Sequence, residues 1–510
     1  FLTSDLTEMS DENLVKFLRH KDQRVRQESH LELAGRNSLK HLVFVASESD
    51  HQLARLHSMW GLLVIARENI DQRPAVIDQL TELSDDGDAE IRALSARLLG
   101  ELNADSASDQ LVSMLQDDSL RVRHLAATAL SYLRAEESIM PLMNAIDENN
   151  NVDPVLRHGL ILALAANASD THLVELAAKA SPAQRLAIVV ALRRQQSDQL
   201  AALLLDPTPA VVREAARAIH DLPITNALPQ LAALISSPTP DDALMRRVLN
   251  ANFQLGTSEN ADRIAQFASR DDITDSLQIE ALSMLGDWTE PASRDRVLGA
   301  WRPLDERDAE IGRTAFINHL AGILEGSNAV RDHAIKIAAS LNIKQIGPVL
   351  YAVLTNDAAT AVQQSSALAS LGLIKDTRHS ELVNTSLESR HPLVRATARD
   401  QLISIDVTAA TKQLARAVRS DNTIERQLAY NSLSKINNSV SEAVMLDALN
   451  RLQQKGIPDD TLLDVRLAAA SHPSKIVNEQ IDRLRSRIPS DKLAAQYMDT
   501  LAGGNVSRGR

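Results

Sequence analysis

One phrase recurs along this chain of 510 residues, and its spacing leaves few folds open. Residues 118–133 read DSLRVRHLAATALSYL, in which Val122, Leu125, Ala126, Ala129, Leu130 and Leu133 fall at helical spacing and form one apolar stripe. Asp118 stands where an N-cap accepts a backbone N–H, and Arg121 and Arg123 flank the first valine of the stripe. Variants of the phrase occur at 22–29 (DQRVRQES), 88–102, 153–165, 208–219, 308–317, 391–402, 421–433 and 459–470. Arg92, Arg123 and Arg157 lie 31 and 34 residues apart, and Arg395 and Arg426 again 31. A period of roughly 30–40 residues with two amphipathic helices per unit predicts an all-α, α-α superhelix of roughly thirteen helix pairs. Aromatic residues make up only 3%, which fits Ala- and Leu-rich helices rather than sandwiches or propellers. Each recurring arginine reads as a structural rung that reaches a carboxylate on the neighbouring turn.

Residues 1–500 therefore read as a single solenoid, because no Pro/Gly/Ser linker is long enough to mark a domain break. The register weakens at 270–305 and 335–375, where the stack is expected to bend. Residues 501–510, LAGGNVSRGR, stop the last helix at Gly503-Gly504 and read as a linker.

Composition narrows the chemistry. The formal charge is −13 with a pI near 5.6, so a nucleic-acid partner is not expected. No stretch reaches the ~18 apolar residues of a membrane span. The absence of cysteine excludes thiol catalysis, cysteine-ligated metal and covalent haem attachment within these residues. No two of the fourteen histidines stand three or four apart, and phosphate loops, dinucleotide fingerprints and nucleophile elbows are all missing. Acidic pairs such as Asp85-Asp86, Asp117-Asp118 and Asp271-Asp272 fall at inter-helix turns, where capping explains them. No catalytic residue, metal ligand or cofactor-binding residue is assigned.

Two stretches break the pattern and supply candidate contacts to a partner. Residues 213–235, with Pro223 closing one helix and Pro229 suiting the start of the next, contribute Arg213, Arg217 and Asp221. Residues 285–304 hold two of the three tryptophans and contribute Trp288, Arg294, Asp295, Trp301 and Arg302. These either plug a gap between neighbouring repeats or, if exposed, form a docking patch.

The Asp/Pro-x-x-Val-Arg opening of the second helix resembles HEAT repeats (an armadillo-type fold), particularly the short bacterial kind named after phycobilisome lyases. Longer phrases are more specific: ARLHSMWGLLVIAR (54–67), VVREAARAIHDLPITNALPQLAAL (211–234), LMRRVLNANFQLGTSENADRIAQFA (244–268) and IEALSMLGDWTEPASRDRVLGAWRPL (279–304). In this order they resemble the middle region of PVC-type haem-binding CxxCH proteins, and the resemblance covers nearly the whole chain. The closing LAGGNVSRGR is similar to the L-x-GGD-x-x-x-GR phrase that precedes the cytochrome of that family, with Asn505 in place of Asp. The resemblance implies a larger exported redox protein, periplasmic or extracellular. In it a glucose/sorbosone-dehydrogenase-like propeller, this HEAT region and a c-type cytochrome follow in series, with haem c in the last. On that expectation the two ends are cuts, and the chain is a non-catalytic scaffold whose partners are its own flanking domains. A stand-alone HEAT scaffold for a protein or peptide stays open beside it.

Overall fold

The computed structural model describes residues 6–237 and 241–486, and every regular element among them is helical. The 501–510 linker lies outside the described residues. Contacts divide the chain into two compact units at Leu255/Gly256, with residues Arg296–Leu298 grouping with the first.

In the first unit, short and long helices alternate. A second helix of each pair carries the recurring phrase: Gln23–Gly35, Gln52–Glu68, Ala89–Glu101, Leu120–Leu133, Pro154–Asn167, Pro182–Gln195, Pro209–Asp221 and Asp242–Leu255. Each of these packs on the next in the series, so a row of second helices runs through the unit. Their stripes are buried: Val122, Ala126, Ala129 and Leu130 are at most 1% exposed. Packing is close where side chains are small. A Cβ placed on Gly100 would lie 2.7 Å from the Ala129 Cα, so Ala89–Glu101 and Leu120–Leu133 meet almost backbone to backbone. The seventh first helix is a 3-10 stretch, Asp198–Leu205, whose buried Leu200 and Leu203 match its three-residue turn.

The second unit repeats the plan, its second helices being Asp275–Gly286, Asn328–Ser340, Ala361–Leu373, Pro392–Ile405, Thr423–Leu433 and Leu462–Ser471. They too stack in series. Across 335–375, helices Asn328–Ser340, Gly347–Thr355 and Ala361–Leu373 succeed one another with short connections. Within 270–305, helix Asp275–Gly286 is regular and a non-helical stretch follows it from 287 to 308.

Capping agrees with the phrase in most repeats. Asp22, Asp88 and Asp153 accept backbone N–H groups of the first turn that follows each of them. Asp118 is a correction. Helix Leu120–Leu133 starts one residue later, at N-cap Ser119, and it is the Asp117 carboxylate that accepts the Ser119 N–H. Asp117 rather than Asp118 is held in place because Arg92 of the preceding repeat grips it.

Candidate docking surfaces

The arginines of the phrase have two jobs. Each reaches back six residues to a carbonyl left unpaired at the end of the preceding helix: Arg26 to His20, Arg92 to Asp86, Arg123 to Asp117, Arg395 to Ser389 and Arg426 to Ser420. Except for Arg26, they also reach forward to an acid of the following repeat. Arg92 donates to both Asp117 oxygens at 2.7 and 2.9 Å, Arg123 lies 3.5 Å from Glu148, and Arg185 lies 2.7 Å from Asp206. Arg55 pairs in the same way with Asp86. Since Asp86 and Asp117 accept on both side chain and backbone, the rungs from Arg55 to Glu148 join into one run. The hydrogen bonds from Arg92 hold Asp117 below the usual carboxylate range.

In the second unit the ladder centres on Glu425. Its carboxylate accepts from Arg395 at 2.9 Å, Arg399 at 2.7 Å and Ser420 at 2.8 Å. Burial pushes this group up, but the three donors outweigh it and the pKa falls to about 2.

Of the candidates near the end of helix Pro209–Asp221, Arg213 pairs with Asp241 and Arg217 lies 3.7 and 3.6 Å from Glu214 and Asp221; both guanidinium groups are about half exposed. Asp221 is not a surface contact. It takes a bidentate pair from Arg247, at 2.9 Å on each oxygen, and a third bond from His220 Nδ1 at 2.9 Å. His220 is fully buried, and the Asn250 amide nitrogen lies 2.8 Å from its Nε2, which fixes the imidazole proton on Nδ1. Burial raises the Asp221 pKa, yet Arg247 and His220 bring it below the usual range. The group is a lock within the stack.

In 287–308 the two tryptophans part company. Trp288 is 0% exposed, which removes it from any docking patch. Helix Ala309–Glu325 begins against it, since a Cβ on Gly312 would lie 2.9 Å from the Trp288 Cβ, and the Arg307 guanidinium covers the indole at 4.9 Å. Asp295 is also buried and is corrected likewise. Its N–H donates to Ala300 O at 2.8 Å and its carboxylate faces Arg302 at 3.8 Å. Gly299, at φ +67°, closes the resulting tight turn, and Arg302 N–H donates to Ser293 O at 2.9 Å. Trp301 pairs across this turn with Arg294 and stands 70% exposed; Arg294 donates to Gly299 O at 2.9 Å. The exposed candidates in this stretch are thus Trp301 and Arg294.

Two features escape a residue-type reading. His30 and His57, on different helices, face each other through their Nδ1 atoms at 3.0 Å. Burial pushes both down to about 4, helped by His57 acting on His30 and by Arg26 acting on His57. The second is a cleft of about 540 Å³ lined by Arg157, His158, Ile161, Leu162, Arg193 and Arg194, among others. Its sequence signal is the turn AAKASPAQ (177–184), where the acid expected opposite Arg157 is missing. Among the described residues no three histidines or acids come together in a way that would hold a metal ion. No described helix is long and apolar enough to cross a membrane.

These arrangements define a HEAT-like helical-repeat scaffold. The sequence pattern of HEAT repeats matches residues 77–165. Three solved structures are similar at low identity. The complex of CpcE and CpcF of phycocyanin lyase from Nostoc sp. PCC7120 is 17% identical over 62% of this chain and 98% of that one, with a TM-score of 0.23. A mutant Kap121p is 12% identical over 95% of this chain and 64% of that one, at 0.35. YibA of E. coli is 16% identical over 55% and 93%, at 0.30. No curated protein matches the sequence.

Proposed function

We propose that this chain is the connecting scaffold of a larger exported redox protein, holding a dehydrogenase-like propeller on one side and a c-type cytochrome on the other. The observation that supports the scaffold reading is where the polar side chains go. Most arginines of the phrase, together with Asp221, His220 and Glu425, are committed to holding one repeat on the next. Such an array presents a long continuous surface, as a spacer between two modules requires. The redox setting rests on the order of the phrases from 54–67 to 279–304 and on the closing LAGGNVSRGR. Haem c belongs, on this reading, to the cytochrome, and the periplasm or cell exterior is where the protein works. Trp301 and Arg294 are the contacts offered to a flanking domain or partner.

The test is the native polypeptide purified from its source. A haem c absorption spectrum on a covalently haem-stained chain longer than this one is the expected result. A native chain of this length without haem would sink the redox setting and leave a stand-alone scaffold.

A further inference from the structure

Among the described residues the ladder of the first unit lacks its forward acid at Arg26 and at Arg157, and only the second of these arginines opens onto a cleft lined by further guanidinium groups. Arg92, Arg123 and Arg185 each meet an acid from the next repeat, but for Arg157 the turn between helices Asp170–Ala177 and Pro182–Gln195 offers Lys179, Ala180 and Ser181 in its place. Arg157 has no ion-pair partner among the described residues, and its buried Nε lacks a hydrogen bond. It lines the cleft of about 540 Å³ with His158, Arg193 and Arg194. His158 and Arg194 have no acidic partner among the described residues either, and Arg193 has only Glu214, at 3.9 Å and shared with Arg217. Three guanidinium groups thus line one cleft with Glu214 as their single ion-pair partner among the described residues, in a chain whose formal charge is −13. Ile161, Leu162, Val190 and Leu222 supply an apolar floor between them.

We infer that this cleft, between neighbouring second helices, is a receptor site for an extended acidic peptide. Carboxylates of the peptide pair with Arg157, Arg193 and Arg194, and an apolar side chain lies on Ile161, Leu162, Val190 and Leu222. Guanidinium groups suit carboxylates through paired N–H donors. The apolar floor calls for a hydrocarbon group that a bare anion lacks. A long polyanion would meet the acidic surface beyond the cleft, whereas a short peptide feels only the local charge within a Debye length of roughly 8–10 Å. The inference does not depend on the redox setting proposed above.

Fluorescence anisotropy on the full chain tests it, with a labelled peptide of alternating glutamate and leucine as probe. An alternating glutamine and leucine peptide, inorganic phosphate and a single-stranded oligodeoxynucleotide serve as comparisons. Saturable binding of the acidic peptide is expected, weakened roughly tenfold or more by Arg193→Gln with Arg194→Gln and by high salt. Arg157→Gln should weaken it as well. Arg194→Gln alone, at an exposed position, keeps the test valid if the double variant misfolds. Absence of saturable binding, equal binding of the glutamine peptide, unchanged affinity in the variants, or tighter binding of the oligonucleotide or phosphate would each overturn the assignment.

Discussion

Replacing Glu425 by Gln tests whether the ladder stabilises the stack or merely decorates it. Glu425 is 5% exposed and sits in the first turn of helix Thr423–Leu433, where the helix dipole also favours its charge. A fall from its ordinary 4.5 to about 2 corresponds to roughly 3 kcal/mol of stability at neutral pH. Gln keeps the shape but removes the charge. Arg395 retains its bond to Ser389 O, whereas Arg399 loses its acid and has a buried Nε that is already unpaired. Because repeat arrays do not unfold as one unit, the readout should be local. Amide hydrogen exchange in Pro392–Ile405 and Thr423–Leu433 should be roughly 100-fold less protected in Glu425→Gln at pH 7. The folded-state pKa is depressed, so the contribution is complete above about 4.5 and is lost as pH falls towards about 2. Wild type and variant should therefore converge, differing by under about 1 kcal/mol at pH 2.5. A difference below about 0.5 kcal/mol at pH 7, or one that persists undiminished in acid, would refute the reasoning.

Other expectations follow from packing and burial. Gly100→Ala should destabilise the first unit by about 1–3 kcal/mol in denaturant titration, despite alanine's better helix propensity, because the new methyl meets the Ala129 backbone. Trp288→Ala should cost about 3–5 kcal/mol, while Trp301→Ala should change thermal stability little. His30 and His57 are neutral when folded, so protection of Gln23–Gly35 and Gln52–Glu68 should fall as pH drops from 6.5 towards 4. His57→Gln should lessen that acid sensitivity in hydrogen exchange, and an unaltered profile would count against the pairing.

The repeating helices were legible because a stripe such as Val122, Ala126, Ala129 and Leu130 is a local pattern with a fixed period. The rung role of the arginines was legible as well, since an acid recurs at the neighbouring turn. Trp288 and Trp301 show where this ends. Outside a helix there is no periodicity to assign inside and outside, and the two rings sit on opposite sides of that divide. Asp221 misled for a different reason. Its partner Arg247, and the Asn250 that orients its neighbour His220, belong to the next repeat, and nothing at Asp221 itself announces them. The arginine cleft was hidden because its signal is an acid that is lacking from one turn.

The broken rung at Arg157 also bears on how the first unit can be taken apart. Severing the stack between most neighbouring repeats strands a guanidinium on one piece and a carboxylate on the other, leaving two desolvated charges to rehydrate. Between Pro154–Asn167 and Pro182–Gln195 no ion pair is divided among the described residues, and the polar links that part are neutral ones, from Gln195 to Ala165 O and Ala168 O and from Gln184 to Met143 O. Dissection of the unit into fragments should be cheapest, electrostatically, at that seam.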